Sequence, residues 1–138
     1  MEQHNDIGTV EDLYRYRIQS AKEALESAKI LMNAQSYKAA NNRAYYAIFY
    51  AVNAVHALNG VSYKRHKDAI ANFNKEYVRT EIFPRELGRK IARAEMVRHA
   101  SDYDDFYIAA KKDVHEQVAS AEDVINAVEN YFQSKIKD

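Results

Sequence analysis

The chain has 138 residues and a mass of 15.9 kDa, the size of one domain, and its 47% apolar and 29% charged residues are a globular balance that argues against disorder. The absence of cysteine excludes disulfides and thiolate metal sites. Only three glycines and one proline occur, which argues against a β-sandwich or barrel with many tight turns. The 20 basic and 20 acidic residues give a net charge of zero. No run reaches the ~18 apolar residues of a membrane span, and the N-terminus has no signal-peptide pattern. We therefore expect one all-helical, cytoplasmic domain over residues 1–138.

The first two predicted helices form the most apolar part of the chain. Apolar residues recur at alternating steps of four and three from Tyr14 to Met32, which predicts a first helix over about 11–33. Ser36 is the predicted N-cap of a second helix over about 37–59. One face of that helix is lined by alanine, and a third face carries three aromatic residues, Tyr46, Phe49 and Tyr50. A helix that is apolar almost all round is buried, so these rings face either the core or a partner chain.

Three further helices complete the pattern. A short third helix is predicted over about 64–77, and a basic fourth helix over about 84–100 begins at Pro84, a residue suited to a first helical turn. Ser101 to Asp104 is predicted to cap a fifth helix over about 104–134, which repeats the steps of four and three. The expected fold is an all-α, up-and-down bundle of about five helices.

Charge is unevenly distributed along the chain. The stretch from Lys64 to Arg98 has ten basic and five acidic residues, a net charge of +5, and the remainder carries −5. A basic middle with acidic flanks is suited to an anion-facing surface, although solvated helix faces give the same pattern. Binding to RNA through this segment should be weak and should fall steeply with added salt.

Several polar residues stand where a bundle would favour apolar ones. Arg43 lies within the apolar second helix, His66 and Lys67 open the third, and Arg98 and Asp102 have the spacing of a helical i,i+4 pair. Such residues often form only surface ion pairs that fix helix register. Their recurrence near helix ends also suits a polar cleft.

The same regions carry a resemblance to a known family. The chain resembles the HEPN domain family, and in particular its small stand-alone members, over about residues 11–134. The resemblance rests on four blocks in order: Tyr37 to Gly60 (YKAANNRAYYAIFYAVNAVHALNG), Lys64 to Lys67 (KRHK), Ile82 to Gly88 (IFPRELG) and Arg98 to Phe106 (RHASDYDDF).

This resemblance implies a five-helix homodimer that is often paired with a minimal nucleotidyltransferase in a toxin–antitoxin-like system. Many HEPN proteins are metal-independent ribonucleases that use an arginine and, about four to six residues later, a histidine as general acid or base. If Arg98 is the motif arginine here, Tyr103 stands where that histidine is expected, and a phenol is a poor base at neutral pH. Arg93 and His99 have the required spacing, but Ala94 then occupies a usually polar position.

We therefore expect a non-catalytic HEPN module that binds a nucleotide, RNA or a nucleotidyltransferase and needs no metal or cofactor. Its expected ligand-binding residues are Arg43, Tyr46, His66, Lys67, Arg98, Asp102 and Tyr103. In this interpretation Arg98 and Lys67 contact phosphate, Asp102 orients Arg98, and the two tyrosines stack or donate a hydroxyl. One alternative is an endoribonuclease toxin that works through Arg93 or Arg98 with His99. Another is a dimeric scaffold.

Overall fold

The computed structural model describes residues 2–104 and 108–137, and the side chains of residues 9–104 and 108–136. The elements follow in the order α1 (Glu2–Asn33), α2 (Tyr37–Leu58), α3 (His66–Phe73), a π-helix (Asn74–Val78), α4 (Arg85–Tyr103) and α5 (Lys111–Lys137). No strand occurs in these two ranges. The expected all-α bundle of about five helices is confirmed.

The pairing of α1 with α2 forms the centre of the bundle. Both helices bury alanines completely, among them Ala21 and Ala28 on α1 and Ala44 and Ala51 on α2. Because alanine has almost no side chain, such positions let two helix backbones approach closely. A tight turn joins the helices, and Gln35 adopts a left-handed conformation there with φ of 63°.

A cluster of aromatic rings joins α2, α3, the π-helix and α5. Phe73 is 1% exposed, and its ring centroid lies 5.3 Å from that of Tyr77 and 5.2 Å from that of Phe83. His56 of α2 meets the same cluster, with 6.1 Å between its ring and that of Phe73. Tyr131 of α5 closes the cluster against Phe83 at 5.3 Å. These rings connect the short middle helices to the α1–α2 pair.

The ends of α1, α3 and α4 differ from the sequence expectations. Helix α1 starts at Glu2 rather than near residue 11, because an apolar stripe predicts a helix but does not mark where the helix begins. The third helix ends at Phe73 and continues as a π-turn to Val78. Pro84 precedes the first turn of α4 with extended backbone angles rather than lying within it.

The predicted cap at Ser101 to Asp104 is wrong. Those residues continue α4 to Tyr103, and the Asp104 N–H donates to the Ala100 carbonyl. Helix α5 begins at Lys111 rather than near residue 104, and residues 108–110 are not helical. Residues 105–107, which include the last two of the RHASDYDDF block, lie outside the described residues.

Polar contacts at the surface connect α4 to α5. Lys90 of α4 donates to Asp123 of α5 at 2.7 Å and also lies 3.6 Å from Glu86. These carboxylates raise the pKa of Lys90. Within the described ranges, every helix is too short or too polar to cross a membrane.

Candidate functional site

The last two turns of α4 hold the ion pair that the sequence predicts. Arg98 Nε lies 3.1 Å from Asp102 Oδ2, and both side chains are partly buried. The N–H of Nε does not point along this contact, so the pair is an ionic contact rather than a directed hydrogen bond. The contact forms because α4 continues past residue 100 and brings positions four apart onto one face. The predicted Arg98–Asp102 contact is confirmed.

Arg98 reaches across to α2 and lies against an aromatic ring. Its guanidinium carbon is 5.2 Å from the centre of the Tyr45 ring, a cation–π distance. The Tyr45 hydroxyl is 3.1 Å from His66 Nδ1 at the start of α3. The His66 ring stacks on Phe49, with 3.7 Å between centroids. Three helices thus bring an arginine, a tyrosine and a histidine together.

The protonation states of this cluster follow from its burial. Desolvation lowers the pKa of His66, and the positive charge of Arg98 lowers it further, so the imidazole is neutral at pH 7. Burial raises the pKa of Tyr45 to about 12, so its hydroxyl keeps its proton. When that hydroxyl donates to Nδ1, the neutral His66 ring carries its proton on Nε2. Nε2 is then a donor for an anionic ligand.

Arg43 and Tyr46 form a second cation–aromatic pair on α2. The guanidinium carbon of Arg43 lies 4.9 Å from the centre of the Tyr46 ring, and Nε and one terminal nitrogen donate to Asn42 Oδ1 at 3.3 and 3.2 Å. The Tyr46 ring meets the His66 ring edge-on at 5.7 Å. The two pairs therefore share His66. We call the surface that they form the α2–α4 face; its residues are Arg43, Tyr45, Tyr46, His66, Arg98 and Asp102.

The two other predicted binding residues, Lys67 and Tyr103, directly follow His66 and Asp102 in the sequence and are exposed. Lys67 lines an apolar cavity of about 330 Å³ between α3 and α4, which Glu95 also lines. Tyr103 is 70% exposed, and its ring contacts only that of His99 among the described aromatic pairs, at 4.8 Å. Arg93 and His99 are both exposed on α4. The histidine that the structure brings to Arg98 is His66, not His99.

Tyr45 and Phe49 are the cluster residues that the sequence interpretation left out of the site. Both lie on the helix that the apolar pattern predicts to be buried, and in the single chain they are 2% and 7% exposed, which places the Phe49 ring in the core. Their position one turn apart on α2 could have indicated a common ring stack. The link from Tyr45 to His66, by contrast, spans 21 residues and depends on how α3 packs. No group of three His, Cys, Asp or Glu suited to a metal occurs within the described residues.

Comparisons with known proteins agree with these features. The family model described as HEPN domain matches residues 14–131. A UPF0332 protein from Thermotoga maritima is 32% identical over 89% of this chain and 93% of its own. Two proteins from Methanocaldococcus jannaschii are named as putative toxins. One is 29% identical over 86% of this chain and 80% of its own length. The other is 34% identical over 62% of this chain and 64% of its own length. The match to the family model covers most of the chain, including the whole α2–α4 face, and the chain belongs to the HEPN domain family.

Proposed function

We propose that this chain is a non-catalytic HEPN module that binds single-stranded RNA through the α2–α4 face, within a toxin-like system. The observation that carries the proposal is the Arg98 guanidinium, held by Asp102 and the Tyr45 ring beside His66. The names of the two Methanocaldococcus relatives support a toxin-like setting.

The chemistry of the face fits an RNA strand better than a neutral ligand. Arg98 and Arg43 supply guanidinium donors, which suit phosphate oxygens, and each is held against an aromatic ring. The half-buried Tyr46 ring offers a surface on which a base can stack, and stacking tolerates any base. Arg98 is already positioned by Asp102, so little side-chain entropy is lost when RNA binds.

Replacing Arg98 with glutamine should weaken binding of a short single-stranded RNA about 10-fold at low salt. The expected loss is that of one charge-assisted contact, about 1.4 kcal/mol, and the slope of log K against log salt should become shallower by about 1. Fluorescence anisotropy over a salt series measures both. Arg89→Gln is the matched control, because Arg89 is exposed on α4 and lies away from the face; it should change affinity less than about 2-fold. Equal losses in both variants would contradict a specific role for this face.

The second candidate function is a metal-independent endoribonuclease. The observation that favours it is that Arg98 lies near enough to His66 to lower the pKa of the imidazole. Such a reaction needs a histidine as acid or base and a cation to stabilise the developing negative charge. We expect no cleavage of total RNA by the wild-type chain in the presence of a chelator. Cleavage that is lost in His66→Ala would establish the enzyme with His66. Loss in His99→Ala alone would instead support the pair of Arg93 or Arg98 with His99.

A homodimer is part of the proposal. We expect Tyr46, Phe49 or Tyr50 to lie at or near the seam; the single chain leaves Tyr46 and Tyr50 half-buried, whereas Phe49 is buried beneath His66. Apolar surface that a single chain leaves uncovered often marks an interface. Light scattering at tens of micromolar should give twice the chain mass of 15.9 kDa, and Tyr50→Asp should shift it toward one chain. A monomeric mass for the wild type would contradict this prediction.

The family resemblance also makes a minimal nucleotidyltransferase the expected protein partner. Co-expression with the product of an adjacent gene of that type should give a stable co-purified complex. Absence of RNA binding, cleavage and such a complex together would leave the dimeric scaffold as the remaining function.

A further inference from the structure

A groove runs along α4 beside α3 and the π-helix. The cavity of about 330 Å³ between α3 and α4 adjoins a second cavity of about 420 Å³, and the two share four lining residues: Asn74, Val78, Gly88 and Ala92. On α4 the lining extends from Arg85 to Glu95, about 15 Å of helix. The two cavities therefore form one groove, long enough for about three turns of a second helix. We call it the α3–α4 groove.

The α3–α4 groove has a buried apolar floor and small side chains at its exposed positions. Ile70 of α3, Val78 of the π-helix and Ile91 of α4 line the groove and are buried. Ala71 and Ala92 also line it, and both are exposed. Because alanine has almost no side chain, such positions let the backbone of another helix approach closely. The groove thus has the shape and polarity that suit a helix laid into it.

An exposed stripe on α4 continues the apolar surface past the groove. Ala92, Met96, His99 and Tyr103 recur at steps of four and three, which is the spacing of a seam between two helices. Met96 is 60% exposed and Tyr103 is 70% exposed, although both side chains are large and hydrophobic. Ala92 belongs to both the groove and the stripe, so the two surfaces are continuous. Apolar surface that a single chain leaves uncovered often marks a protein interface.

The charges of the groove favour an acidic occupant. Its lining has four basic and two acidic residues, a net charge of +2: Lys67, Arg79, Arg85, Arg89, Glu81 and Glu95. Arg85 and Arg89 are exposed, and neither forms an ion pair within the part of the chain that the structure describes. The stripe itself contains no acidic residue, so a second copy of it would offer these arginines no carboxylate. Charge complementarity therefore favours carboxylates on the partner.

We propose that the α3–α4 groove and the α4 stripe bind an acidic amphipathic helix of a protein partner; only the existence of that partner rests on the proposed function. The apolar face of the helix covers Ala92 and Met96, and its carboxylates meet Arg85 and Arg89. An RNA strand would contact the arginines but leave Met96 uncovered. Arg98, by contrast, lies against α2 through the Tyr45 ring, so the partner and RNA use different sides of α4.

The test uses two synthetic helical peptides that have leucine at every third or fourth position and either glutamate or lysine between. The glutamate peptide should bind the wild type and shift the backbone amide NMR signals of residues 71, 88 and 92. The lysine peptide should bind at least about 10-fold more weakly. The double variant Arg85→Gln, Arg89→Gln should weaken the glutamate peptide about 10-fold in fluorescence anisotropy, and Ala92→Gln, which narrows the groove, by a similar factor. These positions are exposed, so the fold should survive.

Matched controls on α5 are Lys111→Gln with Lys112→Gln and, separately, Ala119→Gln; these exposed positions should change peptide affinity less than about 2-fold. Arg98→Gln should weaken RNA binding and keep peptide binding, so the two proposals fail separately. No binding of the glutamate peptide, or amide shifts confined to other residues, would overturn the docking site. Loss of RNA binding in the double variant would make RNA the occupant instead. A mass that falls to one chain in Ala92→Gln would make it a second copy.

Discussion

Replacing Phe73 with alanine should lower the free energy of unfolding by about 3–5 kcal/mol, the usual range for removing a buried aromatic ring. Phe73 is 1% exposed and lies within 6.1 Å of the rings of His56, Tyr77 and Phe83. Its loss would leave a cavity where α2, α3 and the segment before α4 meet. Most of this destabilisation should therefore come from lost packing rather than from lost helix propensity.

Urea unfolding at a fixed protein concentration measures the effect, since association of chains would otherwise change the apparent stability. Tyr103→Ala is the control on α4, because that ring is 70% exposed and should contribute less than about 0.5 kcal/mol. A loss below about 1 kcal/mol for Phe73→Ala would show that the ring cluster does not join the helices as described.

The stability of the fold should fall as the pH is lowered from 7 to 5.5. Desolvation lowers the pKa of His56, and although its hydrogen bond to the Ala69 carbonyl partly offsets this, the positive charge of Arg17 lowers it further. His56 Nε2 donates to that carbonyl at 2.8 Å, so the neutral ring has its proton on Nε2. The pKa of His66 is lowered as well. Near pH 6.5 and below, the unfolded chain therefore binds more protons at these histidines than the folded chain does. Each histidine adds up to about 1.4 kcal/mol per pH unit to the slope of the unfolding free energy against pH.

Above the unfolded pKa these histidines are neutral in both states and do not lower the free energy of unfolding. That free energy falls as the pH drops from the unfolded pKa toward the lower folded pKa. Thermal or urea unfolding across the pH series measures it. His56→Gln keeps a donor for the Ala69 carbonyl and removes the titrating group, so its slope should be shallower than that of the wild type. His115→Ala, at an exposed position on α5, should keep the full slope. A wild type that is more stable at pH 5.5 than at pH 7 would contradict the prediction.

The sequence predicts the helices better than it predicts the residues between them. Apolar spacing is a local signal, so α2 and the buried position of His56 follow from it directly. Gly60 also has the left-handed conformation expected after a helix end, with φ of 74°. The predicted end of α4 was wrong because Ser101 and Asp102 are residue types that often cap helices. In the structure Asp102 instead pairs with Arg98 within the helix.

The candidate site could be predicted only in part, for a related reason. The Arg98–Asp102 contact is set by helical spacing alone, and the structure confirms it. The contact of Tyr45 with His66 requires α3 to return against α2, which no spacing pattern encodes. Ser101 was predicted as a cap, so its buried hydroxyl could not be recognised from sequence.

The π-helix at Asn74–Val78 has a consequence for which side chains the end of the α3 segment can bury. Its hydrogen bonds join residues five apart, as from Arg79 N–H to the Asn74 carbonyl, so successive side chains rotate less around the axis than the roughly 100° of an α-helix. Tyr77 and Val78, though adjacent, are both buried: Tyr77 against His56 and Tyr131, and Val78 beside Gly88, whose hydrogen replaces a Cβ that would lie 3.0 Å from Val78 Cγ1. The smaller rotation thus lets two adjacent side chains both reach the core at the end of the α3 segment, just before the chain turns toward α4.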